Sequence, residues 1–297
     1  MRKDVAQLMD KVMLGLMNWR IPDSLAATYQ AALPFEAVLA QTRVDGRQTA
    51  VTQLSAPGTQ TIVLDTPEGK LQSRVIIRLA VDPHAPLLIY HHGLGEYPVD
   101  KSWRRLFVRP LPFPMHRVFI QAPYHTHRLE TLDKGFGSLQ NIYQMLAGSL
   151  RMMELIQDYF EEQGTAFTVL AGVSWGGLTS LLYAGVFQRA RAVVPMLASP
   201  NIAQTVGDIA ALFSRPLPIS LAELHSHLDF TPTYQQIEHE HVYPLLGQDD
   251  LFFRWEHHAP LFAKRPLVTI PGSHISNLWR IEPLRQHLWQ SLMHFGE

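Results

Sequence analysis

Short apolar runs alternating with helical patterns constrain this chain more than any other feature. The runs are Pro86–Tyr90 (PLLIY), Arg117–Gln121 (RVFIQ), Phe167–Ala171 (FTVLA), Ala192–Leu197 (AVVPML) and Pro266–Ile270 (PLVTI). An apolar stretch of this length without polar alternation suits a strand covered on both faces. Between them lie a long helical pattern over 138–162, with Leu139, Ile142, Leu146, Leu150, Met153, Ile156 and Phe160 on one side, and a shorter one over 178–186. A further helix is expected over 277–295. Strands separated by helices imply right-handed crossovers, hence an α/β fold with a mostly parallel central sheet and helices on both faces. Pro195 is the discordant residue, because proline cannot donate to a ladder.

Three segments fall outside this alternation. Residues 4–19 place Val5, Leu8, Met9, Val12, Met13, Leu16 and Trp19 at helical spacing, and this face is expected to dock on the chain's own core. A partner subunit or a membrane surface is the alternative seat for it. Thr61–Asp65 and 71–79 read as strands joined by a turn at Pro67–Lys70. Residues 199–243 fit no strand–helix unit and read as an insertion above the sheet's carboxyl edge. The expected division is therefore an N-terminal helical segment (1–50), a core (51–198 and 244–297) and a cap (199–243). Ile209, Leu212, Phe213, Leu217, Leu221, Leu224 and Phe230 within the insertion suggest a cover over a lipophilic pocket.

Composition removes several classes of function. Lys and Arg (25) balance Asp and Glu (26) with no basic stripe, so nucleic acid is not an expected partner. The absence of cysteine excludes disulfides, thiolate metal sites and cysteine nucleophiles. Asp4, Asp10 and Lys11 interrupt what would otherwise begin like a signal peptide, and no run of about 18 apolar residues occurs, so a cytoplasmic location is expected.

Chemistry concentrates at Gly172-Val173-Ser174-Trp175-Gly176, between the FTVLA strand and the following helix. A strand turning sharply into a helix strains its corner residue, and flanking glycines leave room for it. The serine hydroxyl is then lifted above the sheet, where the free N–H groups of the helix point.

From about Leu87 onward the chain resembles the α/β-hydrolase family, of the serine esterase and lipase kind. The resemblance implies a triad in the order Ser, acid, His, with the histidine after the last strand. His274, in Pro271-Gly272-Ser273-His274, stands there. The family's acid follows the preceding strand, three positions after a glycine. From Gly247 this selects Asp250, with Asp249 as rival, and one of the pair is free to cap a helix over 251–257. The resemblance also implies an oxyanion hole formed by the N–H groups of Trp175 and of Leu94, the latter in the His91-His92-Gly93-Leu94 loop. His92, His125 and Arg128 are candidates to contact substrate or to support the groups that do. The many other histidines, in His225-Ser226-His227, His239-Glu240-His241 and His257-His258, are read as loop polarity, and neither metal nor cofactor is expected. The implied activity is hydrolysis of a small-molecule ester or related acyl bond. A non-catalytic member of the fold that binds a ligand or protein is the alternative.

Overall fold

The structure, a computed structural model, describes residues 2–20, 32–127, 130, 134–217, 219–237 and 242–295. Among them nine strands form one sheet: β1 (Arg43–Val44), β2 (Gly58–Thr66), β3 (Gly69–Arg78), β4 (Leu87–His91), β5 (His116–Ile120), β6 (Thr168–Val173), β7 (Ala192–Met196), β8 (Leu245–Gly247) and β9 (Val268–Ile270). Their order is β1-β2-β3-β5-β4-β6-β7-β8-β9. β1, β2, β3 and β5 pair antiparallel, and every pairing from β5 through β4 to β9 is parallel.

The alternation of side chains along the buried strands divides the core between two faces. Leu87, Ile89, Val118, Ile120 and Leu170 point to one. There they meet α2 (Phe35–Gln41), α3 (Arg47–Leu54), α5 (Leu139–Glu162) and α6 (Trp175–Phe187). Leu88, Tyr90, Phe119, Val169 and Val194 point to the other, against α4 (Lys101–Leu106) and α12 (Glu282–Met293). α5 starts where its sequence allows, with the Ser138 hydroxyl accepting from the Asn141 N–H. In the β2–β3 hairpin, Ile62 and Leu64 pair across from Ser73 and Leu71, and Gly69 at φ 122° closes the turn.

Pro195 does sit inside β7, and the hydrogen-bond pattern explains it. The Leu197 N–H donates to Leu245, so with period two the nitrogen of Pro195 also faces β8. On that side the ladder is short, with Met196 and Leu245 as its paired residues. The missing donor thus falls where little pairing is lost.

The helix expected over 277–295 is two: α11 (His274–Trp279) and α12. Pro283 lacks an N–H and its ring clashes with the carbonyl of residue 279, so one continuous helix cannot form. The helix expected over 251–257 is instead a bend followed by α10 (Trp255–His258). The segment between β7 and β8, expected to be an insertion, carries α7 (Ile202–Leu212), α8 (Leu221–Leu228) and α9 (Thr231–Gln235) among its described residues. Leu224, Leu228 and Phe230 join the core of the α5–α6 face, whereas Leu212 and Leu221 are exposed. α9 lies directly on α6.

α1 (Lys3–Arg20) rests on the protein through Ala6, Asp10 and Leu14, all fully buried. The stripe of Val5, Leu8, Val12 and Leu16, from which docking was expected, faces outward instead. No described helix is long and apolar enough to cross a membrane.

The α9–α6 contact is tight enough to test. A Cβ on Gly185 would stand 2.3 Å from the Thr233 carbonyl oxygen, a backbone atom that cannot turn aside. Gly185→Ala is expected to destabilise the fold by about 1–3 kcal/mol. Urea unfolding should show a lower midpoint with an unchanged slope.

Candidate active site

β6 hands the chain directly to α6, and Ser174 is the corner between them, with φ 54° and ψ −119°. Its N–H donates to Met196 (2.8 Å), and its carbonyl accepts from Leu178 (3.0 Å). The glycines of the motif are required by contact, not by a positive φ. A Cβ on Gly172 would lie 2.2 Å from the Gly176 carbonyl carbon, and one on Gly176 would lie 2.0 Å from the His91 carbonyl oxygen. The expected room around the corner is therefore the space that backbone fills. Tyr124 after β5 and Leu197 after β7 also have positive φ (56° and 50°), so loops at this same edge hold non-glycine residues in sparsely populated conformations.

His274 is the first residue of α11. The N-cap Ser273 hydroxyl accepts from the Ser276 N–H, and the Ser276 hydroxyl accepts from the Ser273 N–H, a reciprocal cap that fixes where the helix begins. The ring reaches Ser174 Oγ through Nε2 at 3.0 Å and Asp250 Oδ2 through Nδ1 at 2.8 Å. A carboxylate accepts, so the proton sits on Nδ1 and the Nε2 lone pair faces the serine hydroxyl. Phe252 stacks on the imidazole (4.4 Å between centroids, 27°). Burial pulls the ring's pKa down, but the Asp250 charge and hydrogen bond, with the Asp10 charge, outweigh it, and the net shift is upward.

Asp250 also ties down the bend that stands where a helix capped by one of the two aspartates was expected. Its Oδ1 accepts from the N–H groups of Phe252 (2.7 Å) and Phe253 (2.9 Å) while Oδ2 holds the imidazole. Asp249 points elsewhere, 3.9 Å from Lys3.

The loop after β4 lies against the corner: a Cβ on Gly93 would be 3.4 Å from Ser174 Cβ. The Gly93 N–H is committed to Glu96 Oε1 (2.9 Å), which leaves Leu94 as the next amide along that loop. Trp175 opens α6, so its N–H has no intrahelical acceptor. Glu96 itself is buried under the loop and accepts from the Ser102 N–H (2.7 Å) and hydroxyl (2.8 Å) as well. Burial pushes its carboxyl up to about 7 against those bonds.

The remaining candidates separate. His92 donates from Nδ1 to Gly93 O (2.7 Å) and accepts at Nε2 from the Ala122 N–H (2.9 Å), so both ring nitrogens tie backbone loops together and neither is offered to a substrate. His125 packs edge-on against His92 at 4.5 Å and is pulled down to about 4 by burial. Arg128 lies outside the described residues, as do His239 and His241. His225 pairs with Asp229, His257 with Asp208, and His258 Nδ1 with the Ser199 hydroxyl, so these histidines serve local structure. A concavity lined by Phe167, Thr168, Arg189 and Arg191 sits at the amino end of β6, opposite Ser174. Sequence reasoning missed Asp10 and Glu96. Asp10 carried one faint signal, its i, i+4 alignment with Ala6 and Leu14.

No family model matches the sequence, and no curated protein matches it either. Solved structures do. The enol-lactonase from Burkholderia xenovorans LB400 has a TM-score of 0.52 at 19% identity, over 75% of this chain and 97% of its own. Est1E from Butyrivibrio proteoclasticus, with ferulic acid bound, has 0.51 at 17%, over 75% and 96%. The peroxisomal alpha-beta-hydrolase Lpx1 from Saccharomyces cerevisiae has 0.52 at 12%, over 80% and 88%. Likeness at these identities is a likeness of fold.

The raised pKa of His274 makes a prediction independent of any reaction. Its folded value lies above its unfolded one, so its contribution to stability is complete below the ordinary imidazole pKa and lost as pH rises through the folded value. NMR titration of the imidazole should place it above 6.5, and Asp250→Asn should bring it down.

Proposed function

We propose that this chain, whose fold is that of the α/β-hydrolases, is a serine hydrolase that cleaves a carboxylic ester or related acyl bond. The observation that carries the reading is the unbroken relay Ser174 Oγ–His274 Nε2 (3.0 Å) and His274 Nδ1–Asp250 Oδ2 (2.8 Å), set at a backbone corner beside two amides suited to hold an oxyanion. Such a relay on a buried imidazole activates a hydroxyl whose own pKa is far above neutrality. The enol-lactonase and Est1E likeness fits ester chemistry but does not choose the substrate.

In this mechanism Ser174 Oγ attacks the acyl carbon as its proton passes to His274 Nε2. Asp250 steadies the imidazolium, and the Leu94 and Trp175 N–H groups hold the negative oxygen. Collapse expels the alcohol, which takes the proton from His274, and leaves the acyl group on Oγ. Water then gives its proton to Nε2 and attacks the ester. The acid departs, and the proton returns to the serine.

A fluorophosphonate probe tests this directly. It should label the wild-type protein and not Ser174→Ala, and kcat on an activated acyl ester should fall by about 10⁶-fold in that variant and about 10⁴-fold in Asp250→Asn. Labelling that persists in Ser174→Ala would move the nucleophile elsewhere. A wild-type protein that neither labels nor hydrolyses would favour the non-catalytic alternative. Comparing acetyl with long-chain esters tests the lipophilic pocket, and a preference for acetyl would remove that idea.

A further inference from the structure

Asp10 is far from the reacting serine in sequence and is used by no step above, yet it is fully buried against the loops that carry the acid and the base. Its Oδ2 accepts from the Leu251 N–H (3.0 Å) and the His274 N–H (3.1 Å), and its Oδ1 accepts from the Ile275 N–H (2.9 Å). Leu251 directly follows Asp250. His274 and Ile275 open α11, so their amides have no acceptor within that helix. One turn earlier on α1, the Ala6 carbonyl accepts from the Ser273 hydroxyl (2.7 Å).

We infer that Asp10 is a positioning residue for the reaction: one carboxylate, delivered by the N-terminal helix, clamps the acid loop to the base loop and sets the imidazole against Ser174. The inference rests on the reading of Ser174 as nucleophile. A buried carboxylate with no lysine or arginine bonded to it among the described residues is costly unless hydrogen-bonded, and three amide donors across its two oxygens supply that bonding. A clamp of this kind matters to rate, because misplacing a reacting group by about 1 Å costs on the order of 10²-fold.

The same carboxylate adds negative charge near His274. Burial and the Asp250 charge push the Asp10 carboxyl up from its ordinary value, while His274 and the Leu251 and Ile275 amides pull it down. Among the described residues, the other charged or titratable groups on the segments that meet there are Asp250, Asp249 with Lys3 at 3.9 Å, His258 within the field of Asp250, and Arg280 just after α11, which donates to the Pro271 carbonyl.

The test compares Asp10→Asn and Leu14→Ala with wild type, reading kcat, KM and the acid limb of kcat/KM on an activated acyl ester. Leu14 is a buried apolar neighbour on the same face of α1, so Leu14→Ala loosens the helix without touching the carboxylate. Asp10→Asn is expected to lower kcat between about 10- and 100-fold with KM changed less than about twofold. Its acid limb should also move to lower pH, since a positive imidazole loses a favourable neighbour. Leu14→Ala should lower the unfolding temperature and leave the limb in place. Unchanged kcat and limb in folded Asp10→Asn would overturn the inference, as would an equal shift of the limb in Leu14→Ala. Should Asp10→Asn fail to fold, Asp10→Glu carries the test: it keeps the charge and spoils the reach, so kcat should fall with the limb unmoved, and an unchanged kcat would overturn the clamp. Failure of wild type to label with fluorophosphonate would instead remove the hydrolase reading beneath it.

Discussion

At Ser174 the backbone adopts a conformation that side chains rarely tolerate, and it holds because the surroundings leave no other path. The strand arrives buried on both faces, α6 starts one residue later, and the glycines at 172 and 176 let the corner close until backbone touches backbone. Everything else in the site is arranged around that fixed point. The loop after β4 lies on it, the last residue of β7 accepts its amide, and the loops after β8 and β9 bring in a carboxylate and an imidazole. Parallel strands make this convergence natural, since all their carboxyl ends lie along one edge of the sheet.

Around the imidazole, electrostatics and packing act together. His274 is almost wholly removed from water, stacked against Phe252 and held by two buried carboxylates of different duties. Asp250 bonds the ring, and Asp10 bonds the backbone that carries it. Neither carboxylate is neutralised by an adjacent arginine or lysine side chain among the described residues, and backbone amides do that work instead.

Much of this was legible in the residues because it is local. A strand buried on both faces shows in its own letters, as PLLIY and FTVLA do. The Ser174 corner shows in its glycines, and the positions of His274 and Asp250 follow from strand order once the family likeness is seen. What escaped depends on contacts across long sequence separations. In the sequence Asp10 reads only as a break in a signal-like apolar stretch, because nothing near it announces the Leu251, His274 and Ile275 amides 241 to 265 residues away. The stripe of Val5, Leu8, Val12 and Leu16 misled for the same reason, since periodicity gives a helix an apolar side without saying which side the fold will use. Pro195 looked worse than it is because the ladder on its nitrogen's side is short, a property of β8 and not of β7.

The clamp made by Asp10 also has a consequence in time. During synthesis the chain emerges at roughly 5–20 residues per second, so about 13–50 s separate Asp10 from His274. The residues of the Ser174 corner emerge 100 residues before His274, and α1 has its seat only once residues 251 and 273–275 exist. A nascent molecule therefore carries the hydroxyl at 174 without its imidazole partner for about 5–20 s at that rate, and a helix made early is among the later ones to find its place.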